Sequence, residues 1–147
     1  MKYYLILAGL WLASHQVLGQ TASPTPVGFT HRIDSGMPGR EIYGSTQRPF
    51  ASNGELMGRG DLSAQTKQVF ENLSTALSSL GMDFSHIKQV CYYMKGETGQ
   101  LDQTAISRIN AIAEKYFSAG SQIMEFKQLP KIAQDEVLIE IEVIAIR

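Results

Sequence analysis

Cys91 is the only cysteine of the chain, and histidine occurs three times. A single thiol excludes an intramolecular disulfide, and one cysteine with scattered imidazoles makes no cluster at metal-ligand spacing, so no metal site is predicted. Cys91 sits in a segment that alternates as strands do, and it reads as a buried strand residue rather than a nucleophile. Two short strings also invite a chemical reading. Arg59-Gly60-Asp61 spells an adhesion tripeptide, but Asp61 stands at the start of a predicted helix, where an aspartate has a structural reason to be. Asn72-Leu73-Ser74 spells a glycosylation sequon inside that same helix, and neither string carries weight. Glu140 and Glu142 lie two apart near the end of the chain, hence on one face of a predicted strand.

The elements that must position these residues follow from period and punctuation. Val27 to Ile33 and Glu41 to Ser45 read as short strands around a loop containing Gly36, Pro38 and Gly39, together a hairpin. A turn at Ser52-Asn53-Gly54 and the string Gly58-Arg59-Gly60 lead to Asp61 as a helix N-cap. Val69, Leu73, Ala76, Leu77 and Leu80 then share one helical stripe, which stops at Gly81, a residue suited to the position after a helix end. Ile87 to Met94 reads as a strand with Val90, Tyr92 and Met94 on one face and Gln89, Cys91 and Tyr93 on the other. A second helix is predicted from about Thr104 to Phe117, its apolar side formed by Ile106, Ile109, Ala113, Tyr116 and Phe117. Gln122 to Lys127 and Val137 to Ile146 close the domain as strands, the last with Val137, Ile139, Ile141, Val143 and Ala145 on one face.

The order is ββαβαββ, an α+β class with two helices packed on one side of a mixed sheet. The other side then needs cover. Tyr92, Met94 and the aliphatics of the last strand are expected to make it apolar enough for identical subunits to bury it.

Ahead of the domain, Lys2, the apolar run Tyr3 to Leu12 and Val17-Leu18-Gly19 have the layout of a secretory signal peptide. The run is shorter than the about 20 residues of a membrane-spanning helix. Cleavage is expected after Gly19, which divides the chain into a signal peptide (1–19), a proline-containing linker (20–26) and one domain (27–147). The mature chain is then expected in the periplasm or secreted, with no membrane attachment after cleavage. The formal net charge of the whole chain is -1, and loss of Lys2 makes it more negative still, so no nucleic-acid partner is indicated.

The run from Asn53 to Leu73 (NGELMGRGDLSAQTKQVFENL), the pair Leu129-Pro130 and the closing string Leu138 to Ala145 (LIEIEVIA) resemble the RidA (YjgF) family. The resemblance spans about Phe29 to Arg147. It implies a chorismate-mutase-like subunit in a homotrimer, with small-molecule clefts between neighbouring copies. It also implies hydrolysis of imines and enamines derived from amino acids, giving 2-keto acids and ammonia without a cofactor.

The resemblance assigns residues as well. Glu140 matches the family's water-orienting glutamate and is the candidate catalytic residue. Ser45 matches the serine of a Ser-Gly-Gln string that here reads Ser45-Thr46-Gln47, with threonine where a glycine would let a ligand approach the backbone. Asn110 matches an asparagine of the second helix, and Phe29 keeps the ring, without the hydroxyl, of a first-strand tyrosine. Counting back from Leu129-Pro130, the family's carboxylate-binding arginine falls at Ser121, and a serine cannot replace a planar guanidinium. Hydrogen bonds to charged groups are worth about 1.5–3 kcal/mol, so losing that fork should weaken carboxylate binding by about ten- to a hundredfold. Arg48 and Lys127 could reach the same cleft, although charged side chains are more often solvated.

Three functional classes follow. The first is a diverged imine or enamine deaminase. The second is a non-catalytic trimer that binds a small metabolite in the same clefts. The third, a nuclease, is opposed by the negative charge and by the lack of a basic stripe.

Overall fold

The structure is a computed structural model that describes residues 27–118 and 122–147; the expected signal peptide and linker, and Ser121, lie outside the described residues. β1 (Gly28–Ile33) and β2 (Ile42–Gln47) form the hairpin, followed by α1 (Leu62–Ser79). A single 3-10 turn, Phe84–His86, leads into β3 (Ile87–Lys95), α2 (Gln103–Ala113), β4 (Ile123–Leu129) and β5 (Ile139–Ile146). The five strands lie in the order β1-β2-β5-β3-β4. All neighbours are antiparallel except β3 and β4, which are parallel and joined through α2.

The first helix starts and stops where its capping chemistry dictates. The Asp61 carboxylate accepts from the backbone N–H groups of Ser63 and Ala64, which otherwise have no partner in the first turn. Gly81, at φ +68, takes the left-handed conformation that ends the helix without a Cβ penalty. Between these ends α1 buries Val69, Phe70, Leu73 and Leu77 against the sheet. They join Ile109 and Ile112 of α2 and Val90, Tyr92, Met94, Ile139, Ile141 and Val143 of β3 and β5 in one core. Each such side chain contributes about 1.5–3 kcal/mol when fully buried.

Three expectations are corrected. Tyr92 and Met94, expected on the uncovered face, are buried beneath the helices. Alternation groups Val90, Tyr92 and Met94 correctly, but which side the helices cover is a long-range matter that a strand cannot encode alone. The second helix ends at Ala113 rather than at Phe117. Tyr116 and Phe117 follow in a turn, where their rings pack on Phe70 at centroid distances of 4.6 and 5.9 Å. They hold the core side without needing helical backbone. Lastly, β2 runs on to Gln47 and β4 to Leu129, because the backbone ladder continues where side-chain alternation gives no signal.

Candidate functional site

On the sheet face turned away from the helices, strand register lines side chains up in rows. Tyr93 stands opposite Lys127 of β4 and opposite Glu140 of β5. Gln47 pairs with Ile141, so the next residue, Arg48, stands opposite Glu140. The row therefore reads Lys127, Tyr93, Glu140, Arg48. The row beside it reads Glu125, Cys91, Glu142, Thr46, Phe29. Further along, Ile144 stands opposite Gly44, and Ile42 stands between Ile146 and Ile33. This face is thus polar and ionisable at one end and aliphatic at the other.

At the polar end, Arg48 Nε donates to Glu140 Oε2 at 2.5 Å. The two side chains are 21% and 16% exposed, so the pair is half-covered, yet it still meets solvent. Its position is fixed through the main chain of Arg48. The Arg48 N–H donates to the Val27 carbonyl at 2.7 Å, and its carbonyl accepts from Asn72 Nδ2, also at 2.7 Å. Asn72 Nδ2 donates as well to the Phe50 carbonyl at 2.9 Å, so the asparagine of the apparent sequon is a structural clamp. One signal could have revealed it: Asn72 lies three residues after Val69 and four before Ala76, at the margin of the apolar stripe.

Tyr93 packs against a satellite cluster of Phe50, Leu56, Ile132 and Val137, which stands beside the polar end as an apolar wall. Lys127 Nζ lies 5.6 Å from the centre of the Tyr93 ring and 3.2 Å from Glu125, whose hydrogen bond raises the lysine pKa. Burial raises both the Tyr93 phenol and the Cys91 thiol. Cys91 is thus a protonated, 5%-exposed strand residue rather than a ready nucleophile. Among the described residues, no three His, Cys, Asp or Glu side chains gather as metal ligands would.

Of the residues assigned from sequence, Glu140 and Phe29 share this open face. Phe29 is 43% exposed on the edge strand, its ring 6.1 Å from that of His31. Ser45 points the other way: it pairs with Val143 of the core and is 2% exposed. Its hydroxyl is committed to Thr30 Oγ1 at 2.8 Å and Gln47 Nε2 at 3.0 Å. Thr46, not Ser45, lies on the side of Glu140. Asn110 belongs to the helix layer, where it lines a hollow of about 230 Å³ with Phe117 and Met124. Within one chain the sheet therefore separates Asn110 and Ser45 from Glu140. Chemically, the open face offers a carboxylate that can accept a proton or orient water, beside a guanidinium that can grip an anion.

A family model described as endoribonuclease L-PSP matches residues 22–147. The RutC family protein PH0854 of Pyrococcus horikoshii is 29% identical over 135 residues, covering 88% of this chain and 96% of that protein. Among solved structures, the Rid-family protein YyfB of Yersinia pestis superposes with a TM-score of 0.62 at 28% identity, over 86% of this chain and 92% of its own. Escherichia coli TdcF, solved with bound serine, has the same fold at 21% identity and TM-score 0.62, over 79% of this chain and 85% of its own.

Proposed function

The chain belongs to the RidA/YjgF family, that of endoribonuclease L-PSP, and from this we propose that it is a diverged, cofactor-independent deaminase that hydrolyses 2-imino acids to 2-keto acids and ammonia. The observation that carries the reading is Glu140, a half-covered carboxylate on the open sheet face held in place by Arg48. Water positioned by Glu140 would add to the carbon of the protonated imine, giving up a proton to the carboxylate and leaving a neutral carbinolamine. The carbinolamine would then collapse: its nitrogen takes the proton back from Glu140, the C–N bond breaks, and the hydroxyl proton goes to the departing ammonia as the keto C=O forms. TdcF, with its bound serine, supports a small amino-acid-like ligand on this fold.

The site is proposed to lie between copies of the chain. The aliphatic end of the open face, with Ile33, Ile42, Ile144 and Ile146, is the part that a homotrimer would bury, and a neighbouring copy could bring the helix-layer residue Asn110 toward Glu140. The mature protein is proposed to be exported after cleavage near Gly19. N-terminal sequencing of protein recovered outside the cytoplasm checks this, and intact Met1 in the soluble cytoplasm would rule it out.

Turnover is tested by coupled ammonia release from freshly generated 2-iminobutanoate. Wild type should be slower than a relative with arginine at that position, because the chain carries Ser121 there, and Glu140→Gln should lose whatever turnover remains, since an amide cannot take a proton from water. Equal background rates in the two proteins would favour the second reading, a trimer that binds a small metabolite without converting it. The ion pair that occupies Glu140 is the observation on that side.

A further inference from the structure

Resting on the reading that a small carboxylate-bearing molecule binds beside Glu140, we infer that Arg48 holds that carboxylate, supplying from just past the end of β2 the fork that Ser121 cannot. A guanidinium carries five N–H donors, and Glu140 engages one of them, the Nε–H. Among the described residues, the two terminal nitrogens make no hydrogen bond. The side chain is nevertheless only 21% exposed, so it has given up much of its water while leaving one flat edge unused. That edge, two parallel N–H vectors, matches a carboxylate in bidentate geometry.

The fork is also preorganised. Its backbone is held on one side by Val27 and on the other by Asn72, and Pro49 follows, so little ordering remains when a ligand arrives. Its closeness to Glu140 suits the substrate. In a 2-imino acid the carboxylate carbon is bonded directly to the carbon that water attacks. The anion anchor and the water-orienting carboxylate must therefore be neighbours, as Arg48 and Glu140 are.

Lys127 is the competing cation, and geometry counts against it. It sits in the same cross-strand row but three strands from Arg48, about 14 Å at ordinary strand spacing. Its ammonium is already taken by Glu125 and the Tyr93 ring, and it is a point charge rather than a fork.

The arrangement has a signature that a purely structural ion pair would lack. A ligand carboxylate and Glu140 would share one guanidinium, so the two negative charges repel. Glu140→Gln should therefore tighten carboxylate binding while Arg48→Gln abolishes it. The test is an NMR titration of the full-length mature protein with 2-oxobutanoate and with its uncharged amide, 2-oxobutanamide. Wild type should prefer the acid by about ten- to a hundredfold. Arg48→Gln should erase that preference, Arg48→Lys should keep part of it, and Glu140→Gln should increase it. Thermal melts of each variant show whether the fold survives, and the gain in Glu140→Gln is readable even where Arg48→Gln fails to fold. Equal titration of acid and amide by wild type, or a preference unchanged in Arg48→Gln, overturns the assignment. The two readings can fail separately. Turnover of 2-iminobutanoate with unchanged KM in Arg48→Gln removes the anchor and leaves the deaminase, whereas Arg48-dependent binding without any turnover removes the deaminase and leaves the anchor.

Discussion

Gln65 of α1 clamps the main chain at Leu138: the Leu138 N–H donates to Gln65 Oε1 at 2.8 Å, while Gln65 Nε2 donates to the Glu136 carbonyl at 2.9 Å. Glu140 follows two residues later on β5. Two turns along the same helix, Asn72 holds the carbonyl of Arg48. A single helix thus fixes both members of the Arg48–Glu140 pair from the far side of the sheet, through backbone rather than through the charged groups.

Replacing Gln65 by Leu keeps the volume but leaves the N–H of half-buried Leu138 and the Glu136 carbonyl without their side-chain partner. At about 1–3 kcal/mol for each unsatisfied group, the loss should be at most about 2–6 kcal/mol. Urea denaturation measures it. A change below about 0.5 kcal/mol would show that the clamp is dispensable.

Tyr92 is fully buried, its ring stacked 4.6 Å from that of Phe126, and among the described residues its hydroxyl has no hydrogen-bond partner. Tyr92→Phe keeps the stack and removes the orphaned hydroxyl. It should therefore be neutral or stabilising, by up to about 2 kcal/mol, against the usual direction of core substitutions. Marked destabilisation in the same urea assay would reveal a partner for the hydroxyl.

Stability should fall at alkaline pH. Burial raises the pKa of Cys91, Tyr92 and Tyr93, and the hydrogen bond that Lys127 donates to Glu125 raises that of Lys127. In each case the folded chain holds its proton more tightly than the unfolded one. The stabilisation is complete below the unfolded pKa and is lost as pH rises through the folded value. Unfolded cysteine titrates near about 8.5 and tyrosine near about 10, so the melting temperature should begin to drop above pH ~8.5 and fall further past pH ~10. Glu41 and Asp83 act in the opposite sense. Hydrogen bonds, chiefly from Arg147 and Ser85 respectively, lower their pKa, so what they contribute is present above about 4 and disappears as pH falls below that through their lowered folded values. A melting temperature that stays level to pH 11 would contradict the alkaline half of this expectation.

Ile144→Glu places a charge at the aliphatic end of the open face without touching the Arg48–Glu140 row. If copies of the chain bury that end, sedimentation of the variant should show monomer where wild type shows trimer, with the melting curve of the isolated subunit still cooperative. A variant that sediments as wild type does would move the interface elsewhere.

Local chemistry made most of the elements legible in the sequence. The α1 boundaries follow from Asp61 as N-cap and Gly81 after its end, and β5 follows from a two-residue period that correctly sets Ile139, Ile141, Val143 and Ala145 together. Both signals act over one helical turn or one pleat, a range over which sequence and conformation are directly coupled. The family strings between Asn53 and Leu73 and around Glu140 likewise announced the fold. Which face of the sheet lies open was not written locally. Strand period tells which residues share a side, but only the packing of α1 and α2 decides that Tyr92 goes under the helices and Tyr93 does not. The same parity turned Ser45 inward and Thr46 outward. The pairing of Arg48 with Glu140 joins residues 92 positions apart and depends on the register between β2 and β5. That register is set by the hydrophobic face the two strands bury together, so the most informative contact of the site came into view only once the sheet was assembled.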